Sequence, residues 1–313
     1  MEKKRFQNKV AGSRISLPIT ALYGAIIWLA SGLLQQALWI PFATFIVSTY
    51  LMVELNNQNA LIRIYSRMVA CSFLVLTCMT LPTKISIEPF AVQLSFIAFY
   101  IIILNAYQRK SSSGCNFFAF TAISIGSVFW VQELFFVPLL WIIVATNILA
   151  FSAKNFFASL LGLITPYWFI GGYLLYQDKL DIIINHFTQI TQFGKIADFS
   201  SFTSLQFSQF IFIILLGIIG SVHFIRNSYK DKIRIRMIYE LFITMFGCTT
   251  LYIILQPQHA LNLLMILIVN TALLIAHFIS LTKTKITNIV FFVITIIALF
   301  LTLTNIWIAS LHF

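Results

Sequence analysis

The residues of this chain able to do acid–base or metal chemistry are few and scattered. Five histidines (His186, His223, His259, His277, His312) and nine acids are spread over 313 residues. No two histidines stand at helical ligand spacing, and there is no HExxH. The four cysteines (Cys71, Cys78, Cys115, Cys248) form no CxxC, so small packing residues are expected rather than a metal or disulfide framework. A phosphate-cradling loop, a GxSxG elbow and a DxD pair are also missing. What is left is a polar set, Asp178, Asp181, His186 and His259, suited to acid–base work or to binding a polar headgroup. No catalytic residue, metal or cofactor is assigned, and an enzyme is the less favoured class.

The elements that must position these residues are apolar. The chain is 60% hydrophobic and 9% charged, with a mean hydropathy of +0.93. A soluble domain carries about 25% charged residues. Apolar stretches near the length of a bilayer crossing run over 15–34, 37–53, 68–82, 90–107, 117–132, 134–152, 156–176, 207–225, 237–255, 261–281 and 288–310. The expected fold is all-α: a single polytopic transmembrane helical bundle over 1–313 with about eleven spans in a bacterial inner membrane. The first span reads as a retained anchor, with no evident cleavage site.

Charge orients the bundle. With the N-terminus inside, the inner segments hold Lys3, Lys4, Arg5, Lys9, Arg14, Arg63, Arg67, Arg109, Lys110, Lys154, Arg226, Lys230, Lys232, Arg234, Arg236, Lys283 and Lys285. The outer segments hold only Lys84, Lys179 and Lys195 of the 20 basic residues. That is the positive-inside pattern, and a wrong span count would scramble it. It puts the C-terminus outside, with His312 and Phe313 near the outer surface. The net charge of +11 thus reports topology and anionic lipid on the cytoplasmic side, not nucleic acid. Glu88, Glu133, Asp178, Asp181 and Asp198 fall outside, and Glu2, Glu54, Asp231 and Glu240 at or near the inner side. No charge is expected mid-span, which counts against ion-coupled transport. Asn105, Asn147, Asn270, His223 and His277 are expected to bond between helices or near their ends.

Four segments stand out. The 1–14 tail is basic and cytoplasmic. The outer loop 177–206 places Leu180, Ile183, Ile184, Phe187, Ile190 and Phe193 at helical spacing before Gly194, which predicts a short interfacial helix. Asp181 and His186 are expected on its aqueous side, and Phe199, Phe202 and Phe207 extend an aromatic belt. The span 156–176 contains Gly162, Pro166, Gly171 and Gly172, which predicts a kink near 163–165 and a candidate kinked-helix site. On the inner side, Asn56, Asn57 and Asn59 read as turn and cap residues, and Arg63 and Arg67 as one helix face. The loop 226–236 offers Arg226, Lys230, Lys232, Arg234 and Arg236 to anionic lipid. Ala158 with Gly162, and Gly217 with Ser221, are spaced for close helix approach.

The stretches NALIRIYSR (from Asn59), LP at Leu81 and Pro82, NFFAFTAISIGSVFWVQELFFVPLLW (from Asn116) and KNFFASLLGLITPYWFIGGYLLYQDKL (Lys154 to Leu180) occur in an order that resembles a family of multi-pass inner-membrane proteins of about 300 residues from Bacteroidota-type bacteria. The likeness covers a little over a third of the chain. It implies a multi-pass envelope protein with no established activity. Family members often carry Asp near the position of Asn116, so a catalytic acid there is not carried over. Three function classes remain: a non-enzymatic envelope component binding lipids or a partner protein, a transporter or flippase of a lipid-linked or anionic molecule, and an enzyme acting on lipid-linked glycan at the outer face.

Overall fold

The computed structural model describes residues 5–81 and 85–310. Glu2, Lys3, Lys4, Pro82, Lys84, His312 and Phe313, with the expectations attached to them, lie outside the described residues. The described residues form helices and no strand. A short α1 (Phe6–Ala11) starts the chain. It is followed by α2 (Ser16–Ala30), α3 (Trp39–Asn59), α4 (Met68–Met79), α5 (Glu88–Ile103) and α6 (Ser113–Phe129). A 3-10 segment, Val131–Phe136, leads into α7 (Val137–Thr146), then come α8 (Ala153–Tyr176) and the small α9 (Leu180–Thr188). The chain closes with α10 (Ser204–Asn227), α11 (Ile233–Leu255), α12 (Ala260–Leu281) and α13 (Lys285–Ser310).

Local chemistry sets several of these boundaries. Thr203 and Gln206 form a reciprocal capping box at the start of α10, and the Ser152 hydroxyl accepts from the Asn155 amide to open α8. Pro89 and Pro138 sit in the first turns of α5 and α7, where no amide donor is needed. Ala60, in the left-handed region, ends α3.

Helix α12 is the axis of the bundle. It is apolar on every face and buried throughout, against α4, α5, α10 and α11, as a helix with no polar stripe must be. Small residues allow the approach. A side chain at Gly220 would collide with the backbone of Leu274 on α12, and one at Gly217 with the Phe246 ring on α11. The periphery is also apolar but faces outward: Trp168 and Phe169 on α8 are 76% and 71% exposed, and Ile289 and Phe300 on α13 are exposed as well. An apolar surface of this extent needs lipid around it. Among the described residues, six helical segments are long and apolar enough to cross a membrane, and four shorter apolar ones accompany them. This is an all-helical membrane protein.

Each of the eleven expected spans falls on a helix, with boundaries moved by local chemistry. The second runs on to Asn59, so Asn56 and Asn57 are helical and not turn residues; Asn56 is buried and donates to the Ser66 carbonyl. Residues 61–67 are not helical, so Arg63 and Arg67 share no helix face. Arg67 bonds Tyr65 and Asn57, while Arg63 turns toward Asp231. The segment expected at 134–152 is helical only to Thr146. Pro166 lies inside a single continuous α8, and in the turn before it the Ser124 hydroxyl donates to the Leu163 carbonyl at 2.6 Å. The basic tail docks: buried Gln7 on α1 donates to the Ile279 carbonyl and the Thr282 hydroxyl at the end of α12.

Glu133 departs from its expected place in an outer turn. Read as an outer turn, it is fully buried, 2.5 Å from the Ser95 hydroxyl on α5. The turn joining α6 to the 131–136 segment is tucked into the bundle and does not emerge above it. Ser95 lies about 10 Å along α5 from Glu88 at 1.5 Å per residue, which gives the depth of the tuck.

Candidate functional site

That tuck leaves a depression at one end of the bundle, and the chain after α8 closes over it. Helix α9 is amphipathic, as its spacing predicts, and lies on α8 with no residue fully buried. Its Phe187 ring sits 4.9 Å from the Tyr167 ring on α8. Asp181 is exposed, as expected. His186 is not on the aqueous side: it is half-buried, with Nε2 3.0 Å from the Ser127 carbonyl and 3.4 Å from the Tyr167 hydroxyl. A carbonyl only accepts, so Nε2 carries the proton. The α9 register that sets Phe187, itself still 38% exposed, beside Tyr167 turns its neighbour His186 inward.

Beyond α9, residues 189–196 form a strap. Gln132 Nε2 donates to the Gln189 carbonyl at 3.1 Å, and Gln258 Nε2 to the Gln192 carbonyl at 3.1 Å. Buried Gln256 grips Gly194 from both sides, accepting from its amide at 2.8 Å and donating to its carbonyl at 3.4 Å. The strap roofs two adjoining clefts. One, of about 450 Å³, is polar, lined by Glu88, Gln132, Gln189, Gln192, Gln258 and Asn262 with Phe129, Trp130 and His259. The other, of about 430 Å³, is apolar, lined by Phe135, Phe136, Phe193, Ile196 and Tyr252 among others. Trp130, on the polar side, stacks on Tyr252, on the apolar side, with ring centroids 6.4 Å apart. His259 packs on the same polar side, 5.6 Å from Trp130, and its Nε2 accepts from Gln258 Nε2 at 3.1 Å.

Of the expected outer polar set, His259 therefore lines the cleft, His186 sits on the inward face of α9, and Asp178 and Asp181 are exposed. Among the described residues, no hydrogen bond or ion pair joins either aspartate to either histidine, and no group of three His, Cys, Asp or Glu is placed to hold a metal ion. All four cysteines are free. Two glycines of α8 serve packing: Gly162 lies against the Phe117 carbonyl on α6, and Gly171 faces Ile183 of α9. Pro166 is half-buried and Gly172 is open. A further cleft of about 440 Å³ between α2, α4 and α13 is nearly all apolar, with Tyr23 bonded to Thr302 near it.

A second polar cluster occupies the opposite end. Arg63 Nε lies 2.9 Å from Asp231 Oδ1, and His277 Nε2 lies 3.4 Å from Asp231 Oδ2. The His277 ring is 5.5 Å from His223 and 4.8 Å from Tyr239. Burial pushes the Asp231 carboxyl up, against the pull of Arg63, Arg236 and Lys230. Of the basic loop, Arg226, Lys230 and Lys232 are exposed, while Arg234 is half-buried. Arg234 donates to Asn59 Oδ1 and the Leu104 carbonyl and lies over the Tyr107 ring. Arg236 is also half-buried. Nothing in the spacing of His223, Asp231 and His277 announces this cluster. Only the span trace, which puts all three near the inner side, points to it.

No family model, curated protein or solved structure matches this chain.

Proposed function

We propose that the protein is a non-enzymatic component of a bacterial inner membrane that binds a lipid at the outer end of an eleven-span bundle. Its N-terminus is in the cytoplasm and its C-terminus outside. The observation that carries this reading is the pair of clefts under one strap: a polar one of about 450 Å³ beside an apolar one of about 430 Å³. A membrane amphiphile has the same two parts. Apolar walls with a few placed polar groups are the usual form of a small-molecule site. The charge split supports the orientation, and the resemblance over 59–180 supports the envelope setting. Anionic lipid on the cytoplasmic side meets exposed Arg226, Lys230 and Lys232.

The test is purification in mild detergent followed by mass spectrometry of retained lipid, for wild type and for Phe193→Ala with Tyr252→Ala. Wild type should retain one lipid class above its share of the membrane, and the double variant should lose it. A retained pool equal to bulk lipid in both would rule the reading out.

One observation favours transport as a second reading. Glu133 supplies the buried ionisable group that ion-coupled carriers place within the membrane. On that reading, deletion of the gene changes the leaflet distribution of the bound lipid, and Glu133→Gln reproduces the change without loss of binding.

A further inference from the structure

We infer that the headgroup held in the polar cleft is uncharged and hydroxyl-rich, a glycosyl group, and that Trp130 and Gln132 select it. This rests on the lipid-binding reading above. Two residues lining the cleft carry polar atoms that the protein leaves unpartnered. Trp130 Nε1 is a donor with no acceptor, and Gln132 Oε1 an acceptor with no donor. Each residue is only 6% exposed. The Gln132 amide is not free to swing round, because its Nε2 is held by the Gln189 carbonyl. An orphaned buried polar atom is costly, and neither atom has appreciable surface, so the pair favours a ligand that draws both to the cleft wall by a small side-chain shift and satisfies them.

The chemistry of the two orphans is restrictive. The ligand must accept from an indole N–H and donate to an amide oxygen. An ionised phosphate alone accepts only and an ammonium alone donates only; a zwitterionic headgroup meets both needs, but only by bringing its phosphate into the cleft. A hydroxyl does both. The rest of the lining agrees. Gln189, Gln192, Gln258 and Asn262 bring amides that both donate and accept, and Glu88 brings a carboxylate that accepts from hydroxyls and repels phosphate. No Lys or Arg is among the described residues lining the cleft, although those are the side chains that recognise phosphate. The Phe129 and Trp130 rings offer apolar surface beside these groups, which suits the C–H face of a sugar ring.

The experiment uses full-length protein in nanodiscs containing phosphatidylethanolamine, phosphatidylglycerol and monoglucosyl diacylglycerol with matched acyl chains. Lipid retained on release from the disc is counted by native mass spectrometry. Wild type should retain the glucosyl lipid above its share of the disc. Trp130→Phe, which keeps the ring but loses the N–H, and Gln132→Leu should each lower that preference about 2- to 10-fold, the worth of one hydrogen bond. If wild type retains phosphatidylglycerol or phosphatidylethanolamine equally well, the headgroup inference fails and lipid binding stands. If no lipid exceeds its share, both fail. An unchanged preference in both variants, each unfolding at the wild-type temperature, overturns the role given to Trp130 and Gln132. Should a variant not fold, the wild-type comparison alone decides the headgroup class.

Discussion

The Ser95 hydroxyl on α5 has one hydrogen and two acceptors within reach. It lies 2.7 Å from the Val92 carbonyl and 2.5 Å from Glu133 Oε1, and its proton is shared between them. Glu133→Gln, which keeps the volume and an acceptor oxygen, should cost less than about 1 kcal/mol of stability. Glu133→Ala, which opens a cavity beside Gly126, should cost about 2–5 kcal/mol. Thermal unfolding in detergent separates the two, and equal losses would contradict the packing role given to this side chain. At the other end, Asp231 is wholly buried and Arg63 partly exposed, at 38%. Arg63→Ala strands a buried carboxylate and should cost about 3 kcal/mol. Asp231→Asn, which leaves a cation that reaches water, should cost nearer about 1 kcal/mol. The double variant should lose less than the sum; additivity would show that the pair is not coupled. Neither site was legible from residue type. Glu133 reads as a turn because the charge sits between two apolar runs, and sequence does not reveal that the turn is tucked under a strap from 57 residues further on.

At the scale of elements, the sequence speaks more clearly. The 3.6-residue spacing over 180–193 and the stop at Gly194 mark a helix that the structure places at Leu180–Thr188, and the apolar runs mark the long helices well. What spacing does not carry is where an element folds back. The strap is held by amides, and glutamines give no signal in hydropathy. Gln256 is its main clasp. Gln256→Ala should raise amide hydrogen exchange across 189–196 while leaving α12 protected, since α12 draws its protection from the bundle. Exchange that rises equally in both would mean that the strap and the core open together. Gly220 makes the complementary case. Small-residue spacing points to Gly217 and Ser221, yet a side chain at Gly220 would meet the Leu274 backbone, which cannot yield as a side chain does. Gly220→Val should cost more than about 3 kcal/mol or prevent assembly, since overpacking alone costs about 1–3 kcal/mol where neighbours can shift. A smaller loss on detergent unfolding would place α10 further from α12.

For the whole molecule, composition and charge do most of the work. An apolar exterior and a central helix buried on all sides require a lipid solvent, whatever the activity. The proposed topology predicts that reporter fusions at residue 190 and after the last helix read outside, and one in 226–236 reads inside. A cytoplasmic signal at 190 would invert the cleft's side. The paired clefts were beyond sequence because their walls come from α5, the α6–α7 turn, the strap, α11 and α12, which only the packed bundle brings together. The most direct test of lipid binding is a photoactivatable fatty acid fed to cells, with crosslinked peptides mapped on the purified protein. We expect adducts on 193–196 and 248–255 at higher occupancy than on the open faces of α8 and α13. Adducts spread over α8 and α13, with none in the strap, would contradict the account.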